Sequence, residues 1–120
     1  AEIKGRQQVA ARYSEAVADL VIPPIAEAGV KPVWAQYTVE IEGREVIRSR
    51  MAEAGIPTFV FYPHPVHLNA AYCTCPVVLD GTPVASSASS RVMSLPMHPY
   101  LDESVQDRIV SAFQYALAGR

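Results

Sequence analysis

The 120-residue chain is poor in cysteine and lacks long apolar runs, and each shortage excludes a class of protein. Its two cysteines, Cys73 and Cys75, have one residue between them, too short a span for an unstrained disulfide. A secreted domain held by disulfides is therefore excluded, and we expect a reducing, cytoplasmic setting. No apolar run approaches the roughly 20 residues that cross a bilayer. Glu2, Lys4 and Arg6 interrupt the first residues, where a signal peptide would be apolar.

The chain also carries no excess of positive charge. The formal net charge is -2, from 10 basic and 12 acidic residues, and the isoelectric point is about 5.9. Proteins that bind nucleic acid or anionic membranes gather lysine and arginine on one surface. The arginines here are scattered among acidic residues between Arg6 and Arg120. The composition therefore predicts no nucleic-acid partner and no membrane partner.

Motifs for metal binding and nucleophilic catalysis are absent as well. Zinc sites favour two closely spaced ligand pairs, whereas His64, His67 and His98 are spread over 35 positions and the one cysteine pair is C-x-C. We therefore expect no metal site, and we expect Cys73 and Cys75 to be small buried or half-buried side chains. No G-x-S-x-G elbow and no glycine-rich phosphate loop occurs. A hydrolase that uses His67 would lack a nucleophile.

Four helices are predicted, three of them from apolar residues that recur every three or four positions. The predicted helices are residues 3–20, residues 45–54, residues 83–92 and a last helix that begins at Asp102 or Glu103 and continues through Leu117. Gly55 suits the position just after a helix, and Pro83 suits a first helical turn.

Three shorter stretches have the composition of strands. They are Val33–Ile41, where apolar and polar residues alternate, Ile56–Tyr62 and Met93–Leu95. Strand geometry would put Trp34 and Tyr37 on opposite faces, so we expect one in the core and the other exposed or covered by another domain. Short strands with helices on one side predict one α+β two-layer domain over residues 1–120.

The segment Tyr62–His67 is the strongest candidate for a binding loop. It joins a phenol and two imidazoles with two prolines, just beyond a predicted strand. Prolines restrict their own backbone and that of their neighbours, so polar side chains here could be held in place before a ligand arrives. A proline-rich connection with exposed histidines explains the same composition, and the sequence alone leaves both interpretations open.

Four segments in order resemble one enzyme family. They are Val33–Val39 (VWAQYTV), Ala54–Thr58 (AGIPT), Tyr62–His67 (Y-P-x-P-x-H) and Val92–Leu101 (VMSLPMHPYL). With this order and spacing the chain resembles the DegT/StrS sugar aminotransferases, and above all those that aminate 3-keto nucleotide sugars. The resemblance covers nearly the whole chain.

The resemblance implies the C-terminal small domain of a fold type I aminotransferase, with a short, mainly antiparallel sheet covered by helices. It implies as partners a large domain, absent from this sequence, a nucleotide-sugar substrate and further copies in a homo-oligomer. The large domain of the family binds pyridoxal phosphate and supplies its Schiff-base lysine. By motif match, Tyr62, His67 and Tyr72 are the residues expected to face the substrate.

Two departures from the family pattern concern this site. The family often has histidine before the tyrosine of the loop, where this chain has Phe61, which cannot hydrogen-bond a sugar hydroxyl or carboxylate. Ser86 also stands where an acid is common, which would loosen an interaction at a helix start.

The two lysines of the chain lie outside these motifs. Transamination with pyridoxal phosphate needs a lysine amine, and Lys4 and Lys31 are expected at a helix start and in a loop. We therefore expect no catalytic and no cofactor-binding residue in this chain, which would be inactive alone, with the cofactor held by the parent enzyme. The alternative is a stand-alone, non-enzymatic module that binds a ligand or associates with itself.

Overall fold

Four α-helices and one pair of antiparallel strands form the computed structural model, which describes residues 1–79 and 81–119. The elements are α1 (Glu2–Val17), β1 (Tyr37–Glu40), α2 (Arg44–Glu53), α3 (Pro83–Arg91), β2 (Val92–Leu95) and α4 (Glu103–Ala118), with a 3-10 turn at Val66–Leu68. The predicted α+β class and the antiparallel sheet are confirmed. Within the described ranges, no helix is both long and apolar enough to cross a membrane.

The core lies between the sheet and helices α1, α2 and α4. Each helix contributes a buried pair four residues apart, the spacing that places two side chains on one helix face. The pairs are Tyr13 and Val17, Ile47 and Met51, and Ile109 and Phe113, and they meet Tyr37, Val39, Met93 and Leu95 of the sheet. Helix α3 has no buried residue, so it packs at the margin of this core.

The two core tyrosines have partners for their hydroxyl groups. Tyr13 donates a hydrogen bond of 2.9 Å to the carbonyl oxygen of Pro96, and the hydroxyls of Tyr37 and Ser14 lie 2.9 Å apart. Burial raises the pKa of both phenols, which therefore stay protonated at neutral pH. Burying these hydroxyl groups costs little free energy, because their hydrogen bonds within the protein replace those made with water.

The prediction of three strands is wrong, because Ile56–Tyr62 contributes a single bridge. The backbone of Phe59 exchanges hydrogen bonds of 3.1 and 2.8 Å with Ser94 of β2, and the pairing extends no further. Pro57, two residues before Phe59, has no N–H with which to continue the ladder on that side. The sheet is thus two strands wide, and Phe59 adds a bridge at the β2 edge.

The first strand is shorter than predicted, since β1 begins at Tyr37 rather than Val33. Trp34 has a positive φ of 50°, which breaks the extended backbone before the strand. Trp34 therefore lies outside β1, and the prediction that Trp34 and Tyr37 lie on opposite faces of one strand is wrong. Instead its half-buried ring packs on Tyr37 with 5.8 Å between centroids, and Arg6 donates to its carbonyl oxygen at 3.0 Å. Tyr37 itself is fully buried, as expected of one of the pair.

Two arginines of α2 donate hydrogen bonds to carbonyl groups near the C-terminal ends of α3 and α4. The last carbonyl groups of a helix have no partner within it. Arg44 of α2 donates to the carbonyl oxygen of Ser89 in α3 at 2.6 Å, and Arg50 donates to that of Ala116 in α4 at 2.8 Å. Arginines that look scattered in the sequence therefore tie α2 to α3 and α4.

Candidate functional site

The loop after Phe59 forms the walls of two adjoining cavities. The larger cavity, about 440 Å³, lies between the loop and helix α3, and the smaller cavity, about 280 Å³, lies within the loop. Tyr62, His64 and Val66 line both. His67 lines the larger cavity and Tyr72 the smaller one, so the structure places the three predicted site residues around two neighbouring spaces that share Tyr62.

The half-buried ring of His67 is held by Thr82. The Thr82 hydroxyl lies 3.0 Å from Nδ1 and 3.2 Å from Nε2 of the imidazole. Thr82 is the residue that precedes α3, a position where a threonine side chain often caps the helix, yet its hydroxyl makes no capping bond here. Both ring nitrogens thus lie within hydrogen-bonding distance of one hydroxyl, and the donor and acceptor roles depend on the tautomer of the imidazole.

The backbone around His67 is fixed by a short 3-10 turn. The amide of Leu68 donates to the carbonyl oxygen of Pro65, and that of Asn69 to Val66, both at 3.0 Å. Pro65 has the extended backbone that precedes this turn. The proline-rich segment thus contains an ordered turn, within which the His67 ring contacts Thr82.

Phe59, Phe61 and Tyr62 form an aromatic row whose last two members line the larger cavity, and sequence reasoning did not assign Phe59 to the site. Phe59 and Phe61 stack with 6.0 Å between centroids and 11° between ring planes, and Tyr62 meets Phe61 edge-on at 5.7 Å. Tyr62 is 72% exposed and Phe59 50% exposed, so the rings present an open surface. The signal was available, because residues 59 and 61 fall on the same side of an extended segment.

Tyr72 lies in a separate turn and is half exposed. Its amide donates to the carbonyl oxygen of Asn69, and its own carbonyl accepts from the amide of Cys75, both at 2.9 Å. Cys73 and Cys75 are exposed, so the expectation that they are buried or half-buried is wrong. The physical reason is that residues 68–79 are all exposed, since this loop leaves the core rather than packing on it.

The lysine amine that pyridoxal phosphate needs does not line either of these cavities. Lys4 lies on α1 and Lys31 in the loop before β1, both are exposed, and neither lines the two cavities around Tyr62. No group of three histidine, cysteine or acidic side chains in residues 1–79 and 81–119 is placed to hold a metal ion. What this arrangement offers is a partly aromatic, uncharged surface with a phenol and an imidazole that can hydrogen-bond.

Comparison with known proteins identifies the family. The sequence model of the DegT/DnrJ/EryC1/StrS aminotransferase family matches residues 1–114. A UDP-2-acetamido-2-deoxy-3-oxo-D-glucuronate aminotransferase of Pseudomonas aeruginosa is 42% identical over 102 residues, which are 84% of this chain and 28% of that protein. A dTDP-3-amino-3,4,6-trideoxy-alpha-D-glucose transaminase of Streptomyces venezuelae is 35% identical over 109 residues, 89% of this chain and 29% of that protein.

A solved structure agrees with this assignment. The DegT DnrJ EryC1 StrS aminotransferase of Brucella abortus superposes with a TM-score of 0.93 at 40% identity, over 97% of this chain and 31% of that one. The chain thus spans about a third or less of the length of the relatives it matches. The resemblance carried by the four sequence motifs is confirmed, and the chain belongs to the DegT/DnrJ/EryC1/StrS aminotransferase family.

Proposed function

We propose that this chain is the small domain of a nucleotide-sugar aminotransferase, in which it closes the substrate cleft over a large domain. The observation that carries the proposal is the grouping of Tyr62, His67 and Tyr72 around two adjoining cavities. His67 and Tyr72 come from two separate turns and Tyr62 from the segment before them, and cavities lined by aromatic rings with a few polar groups are typical of small-molecule sites.

The names of the relatives support a substrate class. The Pseudomonas aeruginosa relative is named for a 3-oxo sugar carried on UDP, and the Streptomyces venezuelae relative for a 3-amino sugar carried on dTDP. Both names describe a nitrogen or a carbonyl at carbon 3 of a nucleotide-linked sugar. We therefore propose that the parent protein aminates a 3-keto nucleotide sugar.

In this function the residues of the chain bind and orient the sugar. The Tyr62 hydroxyl would hydrogen-bond a sugar oxygen, while the imidazole of His67, which Thr82 holds, would bond a second one. The stacked rings of Phe59 and Phe61 would exclude water from one side of the substrate. The amine chemistry of pyridoxal phosphate would belong to the large domain, because Lys4 and Lys31 lie away from this site.

Two features of the chain support the proposal that another domain covers part of its surface. The radius of gyration is 15.8 Å, against about 13 to 14 Å for a compact chain of this length. Ile25, Val66 and Leu79 are among the aliphatic side chains left largely in solvent. Exposed apolar surface of this kind marks interaction sites. We propose that the large domain of the same protein, together with a second copy in a homo-oligomer, covers it.

The same exposed surface is the specific support for the alternative, a stand-alone module that associates with itself. Sedimentation of the 120-residue chain alone separates the two. A discrete, saturable dimer that binds a sugar nucleotide favours the module, whereas non-specific aggregation that co-expression of the large domain prevents favours the aminotransferase.

The proposed site is tested by Tyr62→Phe and His67→Ala in the full-length protein. Each change removes one neutral hydrogen bond, worth about 0.5 to 1.5 kcal/mol, so KM for the nucleotide sugar is expected to rise about 2- to 13-fold. KM for the amino donor should not change. Tyr115→Phe is the matched control, because Tyr115 is an exposed tyrosine on α4 that lines neither cavity. Unchanged KM values in both site variants would remove the assignment.

A further inference from the structure

The turn that follows Tyr72 carries both cysteines of the chain. Cys73 and Cys75 are free thiols, both exposed, with Thr74 between them. No charged side chain occurs in residues 68–79, so the loop is held by its own turns and not by ion pairs. The proposed function uses Tyr72 but neither thiol, which leaves the pair without a role.

The backbone of this turn brings the two cysteines within reach of each other. The Cys75 amide donates to the carbonyl oxygen of Tyr72 at 2.9 Å, so Cys73 and Thr74 are the central residues of a tight turn. Consecutive Cα atoms are about 3.8 Å apart, so residues two apart lie within about 7.6 Å, and a bend brings them closer. Disulfides join Cα atoms about 4.4 to 6.8 Å apart. The Cys73 thiol donates to the carbonyl oxygen of Ala70 at 3.3 Å, so the bond needs this thiol to turn away from Ala70 and the turn to adjust locally.

We propose that Cys73 and Cys75 form a reversible dithiol–disulfide site, which a peroxide closes and a thiol reductant reopens. A disulfide across a single residue is strained, and strained, exposed disulfides are the ones that reductants open readily. The site rests on the two thiols and their turn alone, so it does not depend on whether Tyr72 contacts a substrate.

The closing reaction is balanced in two steps. The thiolate of one cysteine attacks an oxygen of hydrogen peroxide, the O–O bond breaks, and a sulfenic acid and hydroxide form. The second thiol then attacks the sulfenic sulfur, the S–O bond breaks, a disulfide forms and water leaves. Two thiols lose two electrons and two protons, and the peroxide is reduced to two waters. Reopening by dithiothreitol proceeds through a mixed disulfide and yields its cyclic oxidised form.

Peptide mapping of the full-length protein tests the proposal. No lysine or arginine lies between Arg50 and Arg91, so trypsin releases both cysteines on the peptide of residues 51–91. The protein is treated with hydrogen peroxide, alkylated with iodoacetamide and digested. We expect this peptide to lose two hydrogens and take up no alkyl group, and we expect dithiothreitol to restore double alkylation.

The single variants Cys73→Ser and Cys75→Ser are the controls, because each keeps one thiol in the same turn. In both, peroxide should leave a sulfenic acid or a disulfide to another molecule, and the internal bond should be lost. Three results for the unmodified pair would overturn the proposal. These are full alkylation after peroxide, independent conversion of each thiol to sulfinic acid, and disulfides that join either cysteine to another peptide.

Discussion

Replacing Thr82 by valine tests whether its hydroxyl holds His67 or caps helix α3. Valine keeps the shape of threonine and removes only the hydroxyl group. The hydroxyl lies 3.0 Å from the imidazole and makes no capping bond to the helix. One neutral hydrogen bond contributes about 0.5 to 1.5 kcal/mol, so losing the orientation of His67 is expected to raise KM for the nucleotide sugar about 2- to 13-fold.

The free energy of unfolding of Thr82→Val distinguishes a role in positioning His67 from a role in capping helix α3. A threonine that caps a helix contributes about 1 kcal/mol, which Thr82→Val would remove from the free energy of unfolding. We expect less than half of that loss, measured by urea unfolding, because no capping bond exists to break. Thr82→Ser keeps the hydroxyl and should resemble the unmodified protein in both assays. A stability loss of the capping size with unchanged KM would refute the positioning of His67 by Thr82.

Three further predictions concern the core, pH and the sugar. Gln106→Leu should lower the free energy of unfolding by about 1 to 3 kcal/mol in urea, because the buried Gln106 amide donates to the carbonyl oxygen of Val9 at 2.7 Å; no loss would contradict this. The Val105 amide donates to the carboxylate of Asp102 and lowers the pKa of that carboxyl below its ordinary value of 3.8. The carboxylate therefore stabilises the fold above about pH 4, and its contribution is lost as the pH falls through the lowered pKa. Asp102→Asn should flatten this part of an acid unfolding curve, and an unchanged curve would contradict it. Phe61→His places a hydrogen-bonding ring beside Tyr62, so kcat/KM for a uronate should rise relative to a 6-deoxy sugar, and an unchanged ratio would show that residue 61 does not contact that part of the substrate.

The helices were predictable because their signal is local. Core pairs such as Ile47 with Met51 and Ile109 with Phe113 are four residues apart, and this spacing is visible in the sequence. The start of α4 was predictable for the same reason, because Asp102 accepts a hydrogen bond from the amide of Val105, only three residues later.

The strand boundaries were harder to predict, because pairing depends on residues far apart in sequence. Ile56–Tyr62 has the composition of a strand, yet only Phe59 finds a partner on β2. Val33 and Ala35 continue the apolar alternation of β1, but the positive φ of Trp34 between them ends the extended backbone. Neither event leaves a mark that composition or alternation can reveal.

The sequence placed the candidate residues in one region but did not reveal how their side chains are held, and their role stays a prediction. Motif resemblance pointed to Tyr62, His67 and Tyr72, and the structure places them around two cavities that share Tyr62. The hydrogen bond between His67 and Thr82 joins residues 15 positions apart, and no sequence pattern links them. The exposure of Cys73 and Cys75 was also unforeseen, because cysteine is usually buried and only the path of the loop decides otherwise.

In the proposed function, the loop around Tyr62 faces the sugar in the full-length protein. The measurement that tests it most directly is a crystal structure of that protein with a 3-keto nucleotide sugar or its amino product bound. We predict that the Tyr62 hydroxyl and a ring nitrogen of His67 lie within hydrogen-bonding distance of sugar oxygens. A sugar bound in a cleft that contains neither side chain would contradict the proposed function.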